Sequence, residues 1–413
     1  MPNAAFVKNV GVLAFAQALF FMANTIVIST APFVGLQYAP SPWLATVPLG
    51  IQFLGTMSAT MPASLLMQRV GRRPGLALGM VLGVMAGLLG AFAILQASFL
   101  LFCLAGVLYG AFSAFAQYLR FTAADAADAA GFADRTAARG RAIAWVMGGG
   151  VVAAVLGPEL AALTRELTAP VLFAGSYLAI AGLAFLGLLA ISLLDLPHLV
   201  ASASAAGSEV RPLGEIARQP VAITAFLAAL VGYVTMNLLM TATPLAMLAC
   251  GHGFTDTKHV IQWHVLGMFL PSFVTGRLIT RFGVDKVILA GVVLNLVCVA
   301  IAVAGLEVEN FMAALFLLGV GWNFMFVGGT TLLTTCHTPA EKAKVQGLND
   351  LLVFTSVAAS ASLAGFVQSA LGWQTMNLLA IPGLVLVAAL ILPRLWPGLA
   401  AAARGLSSAG RGG

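Results

Sequence analysis

Charge is what this sequence has least of. Only 8% of its 413 residues are Asp, Glu, Lys or Arg, against roughly a quarter in an average soluble domain. With 61% hydrophobic residues, too little polar surface exists to wrap the chain in water, and a soluble globular enzyme is excluded. High hydrophobicity also excludes a disordered chain. Long apolar runs stand where a β-barrel would show weak alternation. Cysteine is scarce, and Cys103, Cys250, Cys298 and Cys336 lie scattered without CxxC spacing, so a structural disulfide is not expected. No His/Cys/Asp cluster has metal-ligand spacing, no HExxH motif occurs, and no GxxxxGK[ST] loop is present to hold ATP. No cofactor and no enzymatic activity are therefore expected. The net charge of +6 sits in short loops rather than on one face, which argues against nucleic acid as a partner.

What the sequence does have is apolar length. A helix crossing the ~30 Å hydrocarbon core needs about 20 apolar residues, and lipid leaves non-helical backbone unsatisfied. Twelve runs qualify, at about 9–36, 43–67, 74–95, 97–119, 141–163, 169–194, 219–248, 260–280, 286–306, 310–334, 345–369 and 374–393. The first is long enough to span and reads as helix 1 rather than a cleavable signal. The fold class is thus all-α and polytopic. An even count puts both termini on one side. If that side is cytoplasmic, eighteen of the twenty basic residues fall inside, all but Arg165 and Lys258, as the positive-inside rule demands. The expected setting is a bacterial inner membrane.

The halves repeat. At a shift of 212 or 213 residues, Asn24 falls on Asn237, Thr30 on Thr243, and Gln52-Phe53-Leu54-Gly55 on His264-Val265-Leu266-Gly267. Arg69 falls on Arg281, Gly71 on Gly283 and Gly106 on Gly319. Paired helices share one orientation, so the repeat is parallel and places a polar site between the halves near the midplane. The expected units are a first six-helix bundle (1–197), a linker (198–218), a second bundle (219–396) and a disordered tail (397–413).

The loop after helix 2 reads Ser64-Leu65-Leu66-Met67-Gln68-Arg69-Val70-Gly71-Arg72-Arg73. It resembles the loop 2–3 motif of the major facilitator superfamily, Gly-x-x-x-Asp-Arg-x-Gly-Arg-Arg, matching at Arg69, Gly71, Arg72 and Arg73. Ser64 and Gln68 replace the Gly and the Asp. The loop after helix 8 keeps Gly276, Arg281 and Gly283 and also lacks the Asp. The resemblance implies a twelve-helix transporter whose two bundles rock around a central cavity, with these loops as inner-side gating elements. It puts helices 1, 4, 7 and 10 around that cavity. Without the Asp, the sequence lacks one partner of a charge pair in that latch. Gly157-Pro158 in helix 5 is partly similar to an antiporter element; close helix packing is the preferred explanation. The stretch 123–141, rich in Ala and mixed charge, reads as an amphipathic surface helix or an inner-gate element.

Polar groups inside spans are expensive and thus functional candidates. Asn24 and Asn237 suit either a hydrogen bond across the halves or substrate contact. Gln52, Gln262, Trp263 and His264 form a second group. His264 is a candidate proton carrier or a hydrogen-bonded packing residue, and Trp263 a ligand contact or an interfacial anchor. Glu159 and Asp350, beside Asn349, are the carboxylates suited to carry a proton or cation; the alternatives are a gate hydrogen bond for Glu159 and an ion pair for Asp350. Arg120, after Gln117 and Tyr118, would hold an anionic group, pair with Asp350 or serve as an anchor. Trp322 and Asn323 place an aromatic beside an amide, which suits a planar organic ligand as well as ordinary packing. The expected partners are a small organic solute, protons or another coupling ion, and the bilayer; a monomer is the expected state. Export of a drug or metabolite, favoured by Gly157-Pro158, stands against import of a planar or weakly anionic nutrient such as a vitamin, favoured by Arg120 and the aromatic–amide pairs. A transporter-derived sensor that has lost transport is the remaining alternative.

Overall fold

The computed structural model describes residues 4–195, 211–338 and 341–395. The expected tail and most of the expected linker lie outside the described residues. The first half is built from α1 (Ala4–Tyr38), α2 (Val47–Val70), α3 (Arg72–Leu95), α4 (Phe99–Ala116), α5 (Leu119–Ala129), α6 (Arg135–Thr164) and α7 (Ala174–Ser192). A short α8 (Leu213–Ala217) precedes the second half: α9 (Pro220–Ala249), α10 (Phe254–Phe269), α11 (Ser272–Phe282), α12 (Val284–Ala304), α13 (Val308–Leu333), α14 (Lys342–Leu378) and α15 (Ile381–Leu395).

Among the described residues, nine helical stretches are long and apolar enough to cross a membrane, one of them a 52-residue run, Lys344–Leu395. That run holds two passes, because Gly372 turns the chain with φ 73° inside α14. Two further passes fall short for local reasons. In α2, Gln52, Thr56, Ser58 and Thr60 dilute the apolar run. The eighth pass, expected as one helix over 260–280, is broken between α10 and α11, where Leu270 and Pro271 separate the two segments. Proline supplies no N–H to continue the ladder, and Asn323 of α13 covers the break. Its amide donates to the Met268 carbonyl at 2.9 Å and to Ser272 at 2.7 Å, and accepts from Thr275 at 2.7 Å.

The stretch 123–141 does not form a separate surface helix. The chain bends at Gln117-Tyr118 and runs on as α5, and α6 begins at Arg135. Asp128 on α5 takes two hydrogen bonds from Arg139 on α6, both 2.6 Å, so the mixed charge joins two long helices.

Each half has its own apolar core, one around Leu13, Phe20, Phe112 and Tyr177, the other around Met236, Leu315, Ile288 and Met325. Small residues set the helix spacing, as in other helical membrane cores. A Cβ on Gly110 would stand 2.2 Å from the Gln52 carbonyl oxygen, and one on Gly319 2.5 Å from that of His264. The counterpart of Gly319 in the first half is therefore Gly110. The sequence comparison puts Gly106 there; the two glycines lie one helical turn apart, so the pattern alone does not choose. Gly71 (φ 92°) and Gly283 (φ 88°) end α2 and α11 in equivalent turns. Their backbone region is essentially reserved for glycine, which explains both without reference to gating.

Candidate transport site between the halves

The halves meet through α2 on α14, α6 on α10 and α1 on α9. At the end away from the basic loops this interface is closed. Lys258, in the second turn of α10 and only 7% exposed, donates to both carboxylate oxygens of Glu159 on α6, at 2.9 and 2.8 Å. One turn further, Gln262 donates to the Val155 carbonyl at 3.3 Å. The Phe254 ring contacts Phe33 and Phe173, and the Arg165 guanidinium lies 5.4 Å from its centroid. Thr46 donates to the Ser362 carbonyl at 3.3 Å and accepts from the Gly365 N–H at 2.8 Å. Nearer the middle, Phe21 packs on Phe269 with centroids 4.9 Å apart.

At the basic end the ion pairs keep to one side of the interface between the halves. Arg72 holds Asp125 at 2.8 Å and Arg139 holds Asp128 at 2.6 Å. Arg211, just ahead of α8, holds Glu341 of the second half at 2.8 Å, and within that half Arg394 holds Asp285 at 3.0 Å. The Arg211 ion pair, with the Thr338 N–H, keeps the buried Glu341 carboxyl well below the usual carboxylate range. The gating arginines are thus engaged locally: Arg72 by Asp125, Arg73 by the Ser192 carbonyl at 2.6 Å, and Arg281 over the Phe282 ring. Arg69, Gly276, Arg281 and Gly283 are exposed. Asp125 supplies a carboxylate partner for this loop even though Gln68 stands where the motif has Asp. Between α1, α6 and α11 a groove of about 610 Å³ opens, lined by Phe15, Arg141, Trp145 and Phe273.

Aromatic and charged groups from both halves gather between these ends. Tyr233 of α9 contacts Trp322, Phe326 and Phe354 with centroids at 5.3, 5.2 and 6.4 Å. Trp322 and Phe326 stack at 5.4 Å and 8°. Phe53 of α2 packs into the same cluster from the other half. Arg120, at the start of α5, lies within electrostatic reach of Asp350, Tyr233 and Tyr118. Arg120 and Asp350 do not close into a direct ion pair among the described residues; Arg120 Nε is buried without a hydrogen-bond partner. Asp350 is exposed and accepts from the Asn349 amide at 3.3 Å. The Trp322 indole N–H and the Asn349 carbonyl oxygen are likewise unpartnered.

The remaining predicted residues divide by place. Asn24 accepts from Gln52 at 3.5 Å inside the first half. Asn237 donates to the Val357 carbonyl and Ser360 inside the second, at 3.1 and 3.0 Å. Neither bonds across the halves, because the amides meet helices of their own bundle first. Gln117 caps the end of α4, and the Tyr118 hydroxyl donates to the Thr60 carbonyl at 3.1 Å. His264 is fully buried, its Nδ1 2.7 Å from the Leu315 carbonyl oxygen. Trp263 is 47% exposed, with the Phe316 ring at its edge. In Gly157-Pro158, a Cβ on the glycine would stand 2.8 Å from Thr25 of α1, so the element sits at a close crossing within one half.

Sequence reasoning missed Tyr233, Phe326 and Phe354. A signal existed: Trp322 and Phe326 are four apart, as Asp350 and Phe354 are, and thus share a helix face. It also missed Lys258 as a buried partner, since hydropathy places it in a loop.

Two helical bundles that meet around an aromatic and charged group and are joined at one end are the architecture of a membrane transporter. The model of the Major Facilitator Superfamily matches residues 13–257 and 226–411, and the chain belongs to that family. It is 42% identical over 399 residues to the riboflavin transporter RfnT of Brucella anthropi, covering 96% of this chain and 98% of that protein. It is 32% identical over 262 residues to an uncharacterized MFS-type transporter of Bacillus subtilis, YddS, covering 59% of this chain and 58% of that one. Among solved structures it resembles a bacterial homolog of the human lysosomal transporter Spinster, in an inward-facing and unoccupied conformation, with TM-score 0.68, 15% identity and coverage of 95% and 97%.

Proposed function

We propose that the chain imports riboflavin, or a flavin of the same shape, across a bacterial inner membrane by alternating access coupled to protons. The observation that carries this reading is the aromatic group Tyr233, Trp322, Phe326 and Phe354 beside Arg120 and Asp350. A planar, amphipathic ring system fits such a wall, where each stacked ring contributes about 1–3 kcal/mol. The likeness to a riboflavin transporter over nearly the whole chain supports the same cargo. The positive-inside rule puts the basic loops in the cytoplasm, so the described state opens inward, with Glu159–Lys258 closing the outer side.

Of the three titratable candidates, Glu159 is held by Lys258 and His264 is sealed against α13. Asp350 alone of the three is exposed beside the aromatic group, and we assign it the coupling proton. The test is uptake of radiolabelled riboflavin by proteoliposomes. Saturable counterflow, and accumulation driven by a pH gradient acid outside, are expected. Absence of riboflavin exchange under any gradient overturns the cargo. Net efflux alone overturns the direction and restores the exporter reading.

A further inference from the structure

Arg120 of the first half and Asp350 of the second lie within electrostatic reach of each other and form no ion pair among the described residues, and Tyr233, packed on Trp322, lies within the same reach of Arg120. A guanidinium donates hydrogen bonds only, and a carboxylate only accepts them. Side by side they offer a donor surface and an acceptor surface to whatever lies between. Arg120 Nε has no partner in the described structure, and the Asp350 carboxylate is engaged only by its neighbour Asn349. Burial of an unsatisfied donor is costly unless a ligand relieves it.

A flavin ring presents its pyrimidine edge as carbonyl, N–H, carbonyl. Its N3–H is a donor and its flanking oxygens are acceptors. This edge matches the pair, whereas the dimethylbenzene edge of the ring offers neither. The aromatic residues Tyr233, Trp322 and Phe326 lie on the second-half side of Arg120, where the ring body would stack.

Resting on the flavin reading, we propose that Arg120 and Asp350 are the specificity-determining pair that reads the imide edge of the cargo, Asp350 accepting from N3–H and Arg120 donating to a ring carbonyl. Asp350 keeps an accepting oxygen with or without the coupling proton, so the same side chain can read N3–H and carry the proton. Because the two residues belong to opposite halves, a bound imide bridges the halves and draws them together on the open side. Recognition and closure are then one event.

The experiment is competition against riboflavin counterflow exchange by the reconstituted full chain. The competitors are lumiflavin, which keeps the imide edge and lacks the ribityl chain, and N3-methylriboflavin, which keeps the chain and lacks the N–H donor. In the wild type, lumiflavin competes and N3-methylriboflavin is at least about tenfold weaker than riboflavin, as loss of a hydrogen bond to a charged group predicts. In Asp350→Ala that discrimination disappears. In Asp350→Asn it persists, because the amide oxygen still accepts. N3-methylriboflavin competing as well as riboflavin in the wild type overturns the assignment and leaves the cargo standing, and so does full discrimination in Asp350→Ala. Failure of every flavin to compete or bind overturns cargo and assignment together.

Discussion

At the closed end of the interface, charged side chains reach from one half to the other. Lys258 binds Glu159, and Arg165 covers Phe254. At the basic end the ion pairs Arg72–Asp125, Arg139–Asp128, Arg211–Glu341 and Arg394–Asp285 each keep to one side of that interface. The first arrangement resists separation of the halves; the second stiffens each half and leaves them free to part. Arg165 and Lys258 are also the two bases that the positive-inside count leaves on the far side. Both are spent on this seal. The Lys258 ammonium is nearly buried beside a partly exposed Glu159, and Glu341 is buried beside a partly exposed Arg211, so loss of the open partner strands a charge in either pair; Arg72–Asp125, Arg139–Asp128 and Arg394–Asp285 are partly exposed on both sides and contribute about 0–1 kcal/mol each. The difference teaches which contacts tie the two halves together and which are confined to one of them.

The largest expected effect comes from Asp350, which lies within electrostatic reach of Arg120 of the first half, on the side that the seal leaves open. Asp350→Asn abolishes accumulation driven by a pH gradient, while counterflow exchange persists at a rate near that of the wild type. Uptake with and without the gradient checks it. Full accumulation in the variant removes Asp350 from coupling. Exchange survives because the binding step needs an acceptor, and the amide supplies one.

Next in size are the turns at the basic end. Gly71→Ala forces a side chain into a backbone region essentially reserved for glycine, at a cost of about 1–3 kcal/mol. Gly283→Ala does the same in the other half. Each lowers the Tm in detergent by several degrees, and equivalent losses in the two variants match the repeat. A Tm unchanged in either one contradicts the positive φ at that turn.

Much of this architecture is legible in sequence because bilayer thickness and charge asymmetry act on single segments. The runs near 74–95 and 286–306 coincide closely with α3 and α12. The shift that pairs Gly71 with Gly283 also survives, since each glycine answers to its own local turn. The site is less legible. Asn24 and Asn237 look alike in sequence, yet one meets Gln52 and the other α14. Their partners depend on helix rotation, which periodicity in a uniformly apolar helix does not fix. Lys258 reads as a loop base because hydropathy averages over neighbours, and its burial depends on Glu159, 99 positions away. Tyr233 lies four residues before Asn237, yet only packing reveals that its ring meets Trp322.

Removing one member of the seal gives a smaller but more specific effect. Glu159→Gln leaves Lys258 unpaired. Because Glu159 is partly exposed, the cost is about 1 kcal/mol rather than that of a fully buried pair, a roughly fivefold population shift toward states open at that end. Thr46→Cys, placed in the same seal in a Cys250→Ser background, reports it through faster labelling by a membrane-impermeant maleimide. Lys258→Met added to Glu159→Gln returns the rate toward that of the parent. Equal labelling in all three variants would mean that the seal rests on the aromatic and Thr46 contacts instead.

The smallest effect belongs to Glu341, whose ion pair with Arg211 ties the segment ahead of α8 to the second half and does not reach the first. Arg211 and the Thr338 N–H hold its carboxyl below the ordinary value of 4.5 in the folded protein. A depressed folded pKa adds stability that is present above that ordinary value and is lost as pH falls toward the folded one. The Tm in detergent therefore changes little through this group between about pH 8 and 5, then declines below about pH 4.5. In Glu341→Gln the starting Tm is lower and the decline on acidification is shallower. At neutral pH the same substitution leaves maleimide labelling of Thr46→Cys unchanged, because the pair joins nothing across the halves. A labelling rate altered as much as in Glu159→Gln would show that the charges at the basic end also govern the seal, and the contrast between the two ends would collapse.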